Sequence, residues 1–176
     1  MASRSLLIGA LAACVLAVGC FAAGSATVGG AQTAQVSTQL KAAQAVADEF
    51  RVNQIEVVSH RALATKDPDL MMTIFTDDAV MTTATGETYT GRASIRTFWT
   101  TMAPAMKPEN HWAPLIPAYK SKVSLSGNTA QLTYECHMVE IGTNQIKAQH
   151  RVEVTAVRSG LSWLARTMKS TNIQLT

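Results

Sequence analysis

A titratable ring on an otherwise apolar strand face is the first feature of this chain that could do chemistry. From Ile146 to Arg158 the residues alternate, setting Ala148, His150, Val152, Val154 and Ala156 against Lys147, Gln149, Arg151, Glu153 and Thr155. On the apolar side His150 would be a general base or a ligand donor within a pocket, with Tyr134 of the preceding run orienting a bound oxygen. The same position also suits a buried, hydrogen-bonded histidine, because no carboxylate is placed by the sequence to orient or tune it. Glu135 and His137 stand two apart on the opposite face, near Arg151 and Glu153, but the histidines at 60, 111, 137 and 150 lack metal-ligand spacing. No metal site is expected. Asp77 and Asp78 look like an acid pair, yet a place after a short helix and before a strand suits capping and turn hydrogen bonds. The chain has no Gly-rich phosphate loop and no Gly-x-Ser-x-Gly elbow, so no cofactor is expected.

The elements that must position these groups are legible in outline. Lys41 to Ala64 lacks Gly and Pro and is rich in Ala, Gln, Glu and Val, which predicts one long helix. Its inner stripe is Ile55, Val58, Ser59, Ala62 and Leu63, which turns Ser59 inward and leaves His60 on a solvated face with Asn53 and Glu56. Asp67-Pro68-Asp69 starts a second, short helix, with a capping carboxylate and a proline in the first turn. A strand from Ala79 to Thr83 and a turn at 84–87 lead to a third helix near Gly91-Arg92, with Arg92 anchoring its start. Ile95, Phe98, Trp99 and Met102 form that helix's buried stripe. Phe98 and Trp99 read as core, and Trp99 could also edge a pocket. Four prolines make 103–118 a loop with at most an edge strand around His111 and Trp112.

Four alternating runs follow, Tyr119 to Leu125, Thr129 to Glu140, Ile146 to Arg158 and Leu161 to Leu175, and they predict an antiparallel meander. In the second run Leu132, Tyr134, Cys136 and Met138 share the core side. Cys136 reads as a small core residue without a disulfide partner. A helix-rich first half and a strand-rich second half make the domain α+β, with three N-terminal helices covering one face of a curved antiparallel sheet.

The N-terminal part is of another kind. After Arg4 no charge appears until Lys41, and Leu6 to Ala23 is an unbroken run of small or apolar residues. One positive charge followed by an apolar run is the order of an export signal, so residues 1–23 are read as a secretory or lipoprotein signal. Ala17-Val18-Gly19-Cys20 is similar to a lipobox, which makes Cys20 the candidate lipidation site. Small residues at 24–26 and 29–31 would equally serve ordinary cleavage, and an uncleaved anchor is the third alternative. Residues 24–40 are small, polar and uncharged, and are expected as a flexible linker to the domain at 41–176. The expected location is periplasmic or extracellular, with a lipid anchor as one form. A net charge of +3 with no basic cluster argues against nucleic acid as a partner.

The order of helix, short helix, Asp-Asp-Ala strand, Gly-Arg helix and four-stranded meander resembles the SnoaL-like members of the nuclear transport factor 2-like superfamily. The likeness is carried by Asp67-Pro68-Asp69-Leu70, Ile74 to Val80, Tyr89 to Ile95 and the Ser159 to Trp163 turn. It implies a cone whose helices and concave sheet enclose an apolar pocket, and sheet-to-sheet homodimers are common in that superfamily. Such pockets host isomerases, cyclases, hydrolases and binding modules alike. In its steroid isomerases the base is an Asp five residues beyond the Asp-Asp pair; that position is Thr83, whose hydroxyl cannot abstract a proton near neutral pH. The tyrosine donor of those enzymes would correspond to Ser59. The resulting expectation is a small apolar molecule bound by Ser59, Thr83, Trp99, Tyr134, Cys136 and His150. An enzyme using His150 and an oligomeric assembly module acting through the outer sheet face are the alternatives.

Overall fold

Absence of proline from Val28 to Thr65 lets one helix, α1 (Val28–Thr65), run through the whole segment in the computed structural model, which describes residues 28–173. The helix starts thirteen residues before the expected Lys41, so residues 28–40 are helical and not the structureless linker that their small polar composition suggested. Ala, Gln, Leu and Thr tolerate a helix, and the only glycines, Gly29 and Gly30, lie in its first turn. The chain divides into two units at Ser37, and from Thr33 to Val46 the side chains are exposed. Residues 1–23, with Cys20, lie outside the described residues, as do residues 24–27. Among the described residues no helix is long and apolar enough to cross a membrane.

The second unit begins with the rest of α1 and continues with α2 (Pro68–Met72), capped as expected by Asp67, whose carboxylate accepts the Leu70 N–H at 2.9 Å. β1 (Phe75–Thr82) follows two residues later and already contains Asp77 and Asp78. They are strand residues on the exposed side, paired with Arg92 at 3.0 Å and Arg166 at 3.2 Å, and not helix-ending caps. β2 (Thr88–Thr90) folds back on β1, and α3 (Arg92–Thr97) starts after Gly91. Arg92 holds that start by donating to the Met72 carbonyl at 3.2 Å.

The third helix departs from its expected stripe. Ile95 is fully buried, but after Thr97 the chain widens into a π-helical turn, Phe98–Met102, closed by the Ala103 N–H on the Phe98 carbonyl at 3.0 Å. Five-residue closure rotates the following side chains relative to an α-helix, and Met102 becomes half exposed. A short 3₁₀ turn (Pro104–Met106) leads to β3 (Trp112–Pro114).

The meander is β4 (Tyr119–Ser126), β5 (Thr129–Glu140), β6 (Ile146–Ser159) and β7 (Ser162–Asn172). The curved sheet runs β2-β1-β7-β6-β5-β3, with β4 on the same edge of β5 as β3. It is antiparallel except at β1–β7, where the pairing is parallel, so the sheet is mixed. The chain reaches β7 only after passing through α3 and the meander, and it arrives running in the direction of β1. The faces are those read from alternation: Leu132, Tyr134, Cys136 and Met138 are buried with Val152, Val154 and Ala156. Val52, Ile55, Ala62 and Leu63 of α1 and Trp163, Ala165 and Met168 of β7 complete the core.

Candidate functional site

Where α1 lies against the inner sheet face, the core opens into a cavity of about 470 Å³. All six residues expected to form a pocket line it: Ser59, Thr83, Trp99, Tyr134, Cys136 and His150. Its deep end is polar. Ser59 Oγ donates to the Glu56 carbonyl at 2.8 Å and lies 3.2 Å from the Tyr134 hydroxyl, so the Tyr134 proton goes to Ser59 and the Tyr134 oxygen is left as an acceptor. Burial pushes the Tyr134 phenol well above its usual range, Ser59 opposes that shift, and nearby Cys136 and Glu56 add to it.

His60 stands beside this chain. It is 2% exposed and its ring meets Tyr134 edge-on at 5.5 Å, which corrects the solvated position expected for it. Its Nδ1 lies 3.3 Å from Glu56 Oε1, but off the line of a good hydrogen bond, and neither ring nitrogen has a well-formed partner. Glu56 is buried too, and also accepts the Ala118 N–H at 3.3 Å. Burial raises its carboxyl, but His60 and the Ala118 amide outweigh this and hold it below its usual range. A stripe drawn from apolar residues alone could not find this pair, because His60 is covered by Tyr134 of β5 and Glu56 is met by the Ala118 amide, both far away in sequence. The signal that was present is a carboxylate four residues before a histidine, next to Ser59.

The walls are apolar and the rim is polar. Cys136 faces His150 across the β5–β6 ladder, and Asn172 faces it from β7. Burial lowers the His150 pKa, partly offset by Asn172, so the ring is neutral at pH 7. Cys136, pushed up to about 12 by burial and then by Glu56, is a thiol and not a thiolate. Thr83 belongs to the turn at the rim, where its hydroxyl meets Thr85 at 2.8 Å and accepts the Glu87 N–H. Trp99, from the π-helical turn, edges the cavity with a buried indole N–H that has no partner. The loop carrying Ala105 and Trp112 is strapped to α1 by Lys66, which donates to both carbonyls at 2.6 and 2.9 Å.

The sequence of this region, residues 56–165, matches the family model of the SnoaL-like domain. The chain belongs to that family. No curated protein matches the SnoaL-like chain. Solved structures similar in fold include a nuclear transport factor 2-like protein with a cystatin-like fold from Novosphingobium aromaticivorans, 14% identical, TM-score 0.67, covering 80% of this chain and 90% of its own. A protein of unknown function with a cystatin-like fold from Nostoc punctiforme is 10% identical with TM-score 0.63, covering 72% and 91%. A ketosteroid isomerase-like protein from Erwinia carotovora atroseptica is 14% identical with TM-score 0.56, covering 73% and 98%. At these identities the likeness is one of fold, and the family supports a pocket that binds a ligand or carries out a reaction.

Outside the pocket, the SnoaL-like domain holds two charged clusters. Glu135, buried on the outer sheet face, is engaged by Lys120 at 3.0 Å and lies 3.6 Å from both Arg151 and His137, while Tyr119 stacks on His137. Among the described residues no three His, Cys, Asp or Glu side chains gather as a metal site. The second cluster was not anticipated: buried Asp48 of α1 receives both nitrogens of the Arg158 fork, together with Gln44 and the Trp163 indole N–H at 3.3 Å. Arg158 also lies 4.6 Å above the Trp163 ring. Only the fold brings positions 48, 158 and 163 together.

Proposed function

We propose that this SnoaL-like domain binds a small, largely apolar molecule in the cavity. The observation that carries the reading is the cavity itself: about 470 Å³, apolar along its walls, with polar groups gathered at its deep end and rim. Thr83 at the rim supplies no proton-abstracting group, in keeping with binding. The proposal includes export directed by residues 1–23, with acylation at Cys20 as the anchored form; the support is the uncharged apolar run from Leu6 to Ala23. Nile red titrated into protein purified from its own host should show saturable binding that Trp99→Ala weakens at least fivefold. Absence of saturable binding, together with absence of a retained small molecule in native mass spectrometry, would overturn the reading.

A catalytic reading has one observation in its favour, the buried Glu56–His60 pair. His150 is neutral, but no carboxylate faces it among the described residues, whereas His60 has Glu56 at 3.3 Å. A base in this pocket is therefore better placed at His60 than at His150. An assembly role through the outer sheet face is supported by the exposed Arg151 and Glu153, although Arg151 is partly engaged within the chain by Glu135. Homodimerisation through that face is tested by light scattering of Arg151→Glu, which should halve the mass of a dimer and leave a monomer unchanged.

A further inference from the structure

Helix α1 has two apolar faces, and the domain core uses one of them. Within the second unit Val52, Ile55, Ser59 and Ala62 turn inward and are buried. On the other side of the same helix Leu40, Ala43, Ala47, Phe50, Gln54 and Val57 recur at alternating spacings of three and four, the period of a two-helix seam. Leu40, Phe50, Val57 and the flanking Val46 are between 48% and 69% exposed, and Leu161 at the tip of the β6–β7 turn is 82% exposed. Leu161 and Gln54 share a groove of about 240 Å³ with Ile55, Val58 and Trp163, so the turn extends the apolar surface of the helix. No charge interrupts the stripe from Leu40 to Val57. Lys41, Asp48 and Glu49 lie off it, and Arg51 is drawn aside by Asp48 at 3.3 Å.

Area and side-chain size identify what covers this face. The five large side chains expose on the order of 400 Å² of apolar surface between them. One side of a standard protein–protein interface is roughly 800 Å², a little over half of it apolar, or about 450 Å². The patch therefore has the apolar content of one such side. The order of residues along it supplies the partner. Reversing the stripe and laying it on itself sets Phe50 against Ala47, Gln54 against Ala43 and Leu40 against Val57, so each alanine receives a larger side chain. A parallel pair in register would set Phe50 on Phe50 and Ala47 on Ala47, crowding one layer and leaving the next empty. The face is thus complementary to itself about a two-fold axis, as a closed dimer requires. We propose that a second copy of this chain docks here, through antiparallel pairing of the Leu40–Val57 stretches of α1. The interface shares no residue with the cavity lining, and none with the cluster of Glu135, His137, Arg151 and Glu153 on the outer sheet face.

Light scattering coupled to gel filtration, on protein purified from its own host, should give twice the chain mass at micromolar concentration. Phe50→Glu puts a charge into the seam from both copies, and should raise the dissociation constant at least about a hundredfold and yield the monomer. Phe50 is exposed in the single chain, so this variant keeps its fold, which circular dichroism checks; Leu40→Glu repeats the test at the other end of the stripe. Arg151→Glu should leave the dimer intact. Direction is tested by Ala43→Lys combined with Gln54→Glu, which face each other only in the antiparallel pair. The double variant should dimerise at least about twofold more tightly than Ala43→Lys alone, and a weaker double variant would overturn the antiparallel pairing. A wild-type monomer would overturn the inference, including one that binds phosphatidylglycerol vesicles through Phe50. So would a dimer that survives both Phe50→Glu and Leu40→Glu, or one that Arg151→Glu alone dissociates.

Discussion

A phenol whose proton is committed to a neighbouring serine is an acceptor, whatever its residue type suggests. Tyr134 was expected to orient a bound oxygen, and the Ser59 contact changes the sign of what it can offer. Tyr134→Phe should therefore lower stability by about 1 kcal/mol in urea unfolding, by stripping Ser59 of its donor, with little effect on Nile red affinity. Cys136 gives a second check at this scale. With its thiol pushed up to about 12, it should resist a disulfide-exchange reagent at pH 8 in the native state and react promptly in urea. His150 supplies a pH effect. Its folded pKa is lowered, so the unfolded state takes up its proton first, and the stability it contributes is full above about pH 6.5 and declines as pH falls toward the folded value. His150→Asn should flatten the urea midpoint across that window; an unchanged slope would show that another group titrates there.

At the scale of elements, two joints hold the site's supports in place. Gly91 has φ +80 and ψ 148, a conformation open to glycine and strained for any other residue, and it turns β2 into α3. A Cβ there would meet only the Asp77 carbonyl at 3.8 Å, so Gly91→Ala is opposed by backbone strain and not by crowding, and should cost about 1–3 kcal/mol in urea unfolding. The Asp48–Arg158–Trp163 cluster joins α1 to the β6–β7 hairpin. The Arg158 fork, then Gln44, hold the Asp48 carboxyl far below its usual range, against the effect of burial. A depressed folded pKa gives stability that is complete above the unfolded value near ~4 and is lost as pH falls from there. Asp48→Asn should melt at least about 5 °C lower at pH 7, and its deficit relative to the parent should shrink below pH 4. These joints also mark what could be read beforehand. Alternation in β5 and β6 and the Asp67 cap are local patterns, and from them the two strands, their faces and the inward side of Tyr134, Cys136 and His150 were legible. The buried side of α1 at Glu56 and His60 depends on Ala118 and on Tyr134 of β5, and the π-helical turn at Phe98–Met102 depends on packing, neither of which has a local period.

At the scale of the whole molecule, the two units make different claims on stability. From Thr33 to Val46 the side chains are exposed, so a chain beginning at Thr38 should melt within about 2 °C of the full chain by calorimetry. A larger loss would mean that the first part of α1 contributes burial. The parallel pairing of β1 with β7 has a different kind of consequence. β1 has Thr82 beside Lys169, so one of the earliest strands waits for the last before its inner edge is covered. On a ribosome, β1 and β2 emerge as an open-edged pair while the meander is still being made. β7 also brings Met168, Ser170 and Asn172 to the cavity wall. The pocket therefore comes into being in one late step, and until that step the nascent chain has an unpaired edge that invites pairing with other chains and no site with which a ligand could assist its folding.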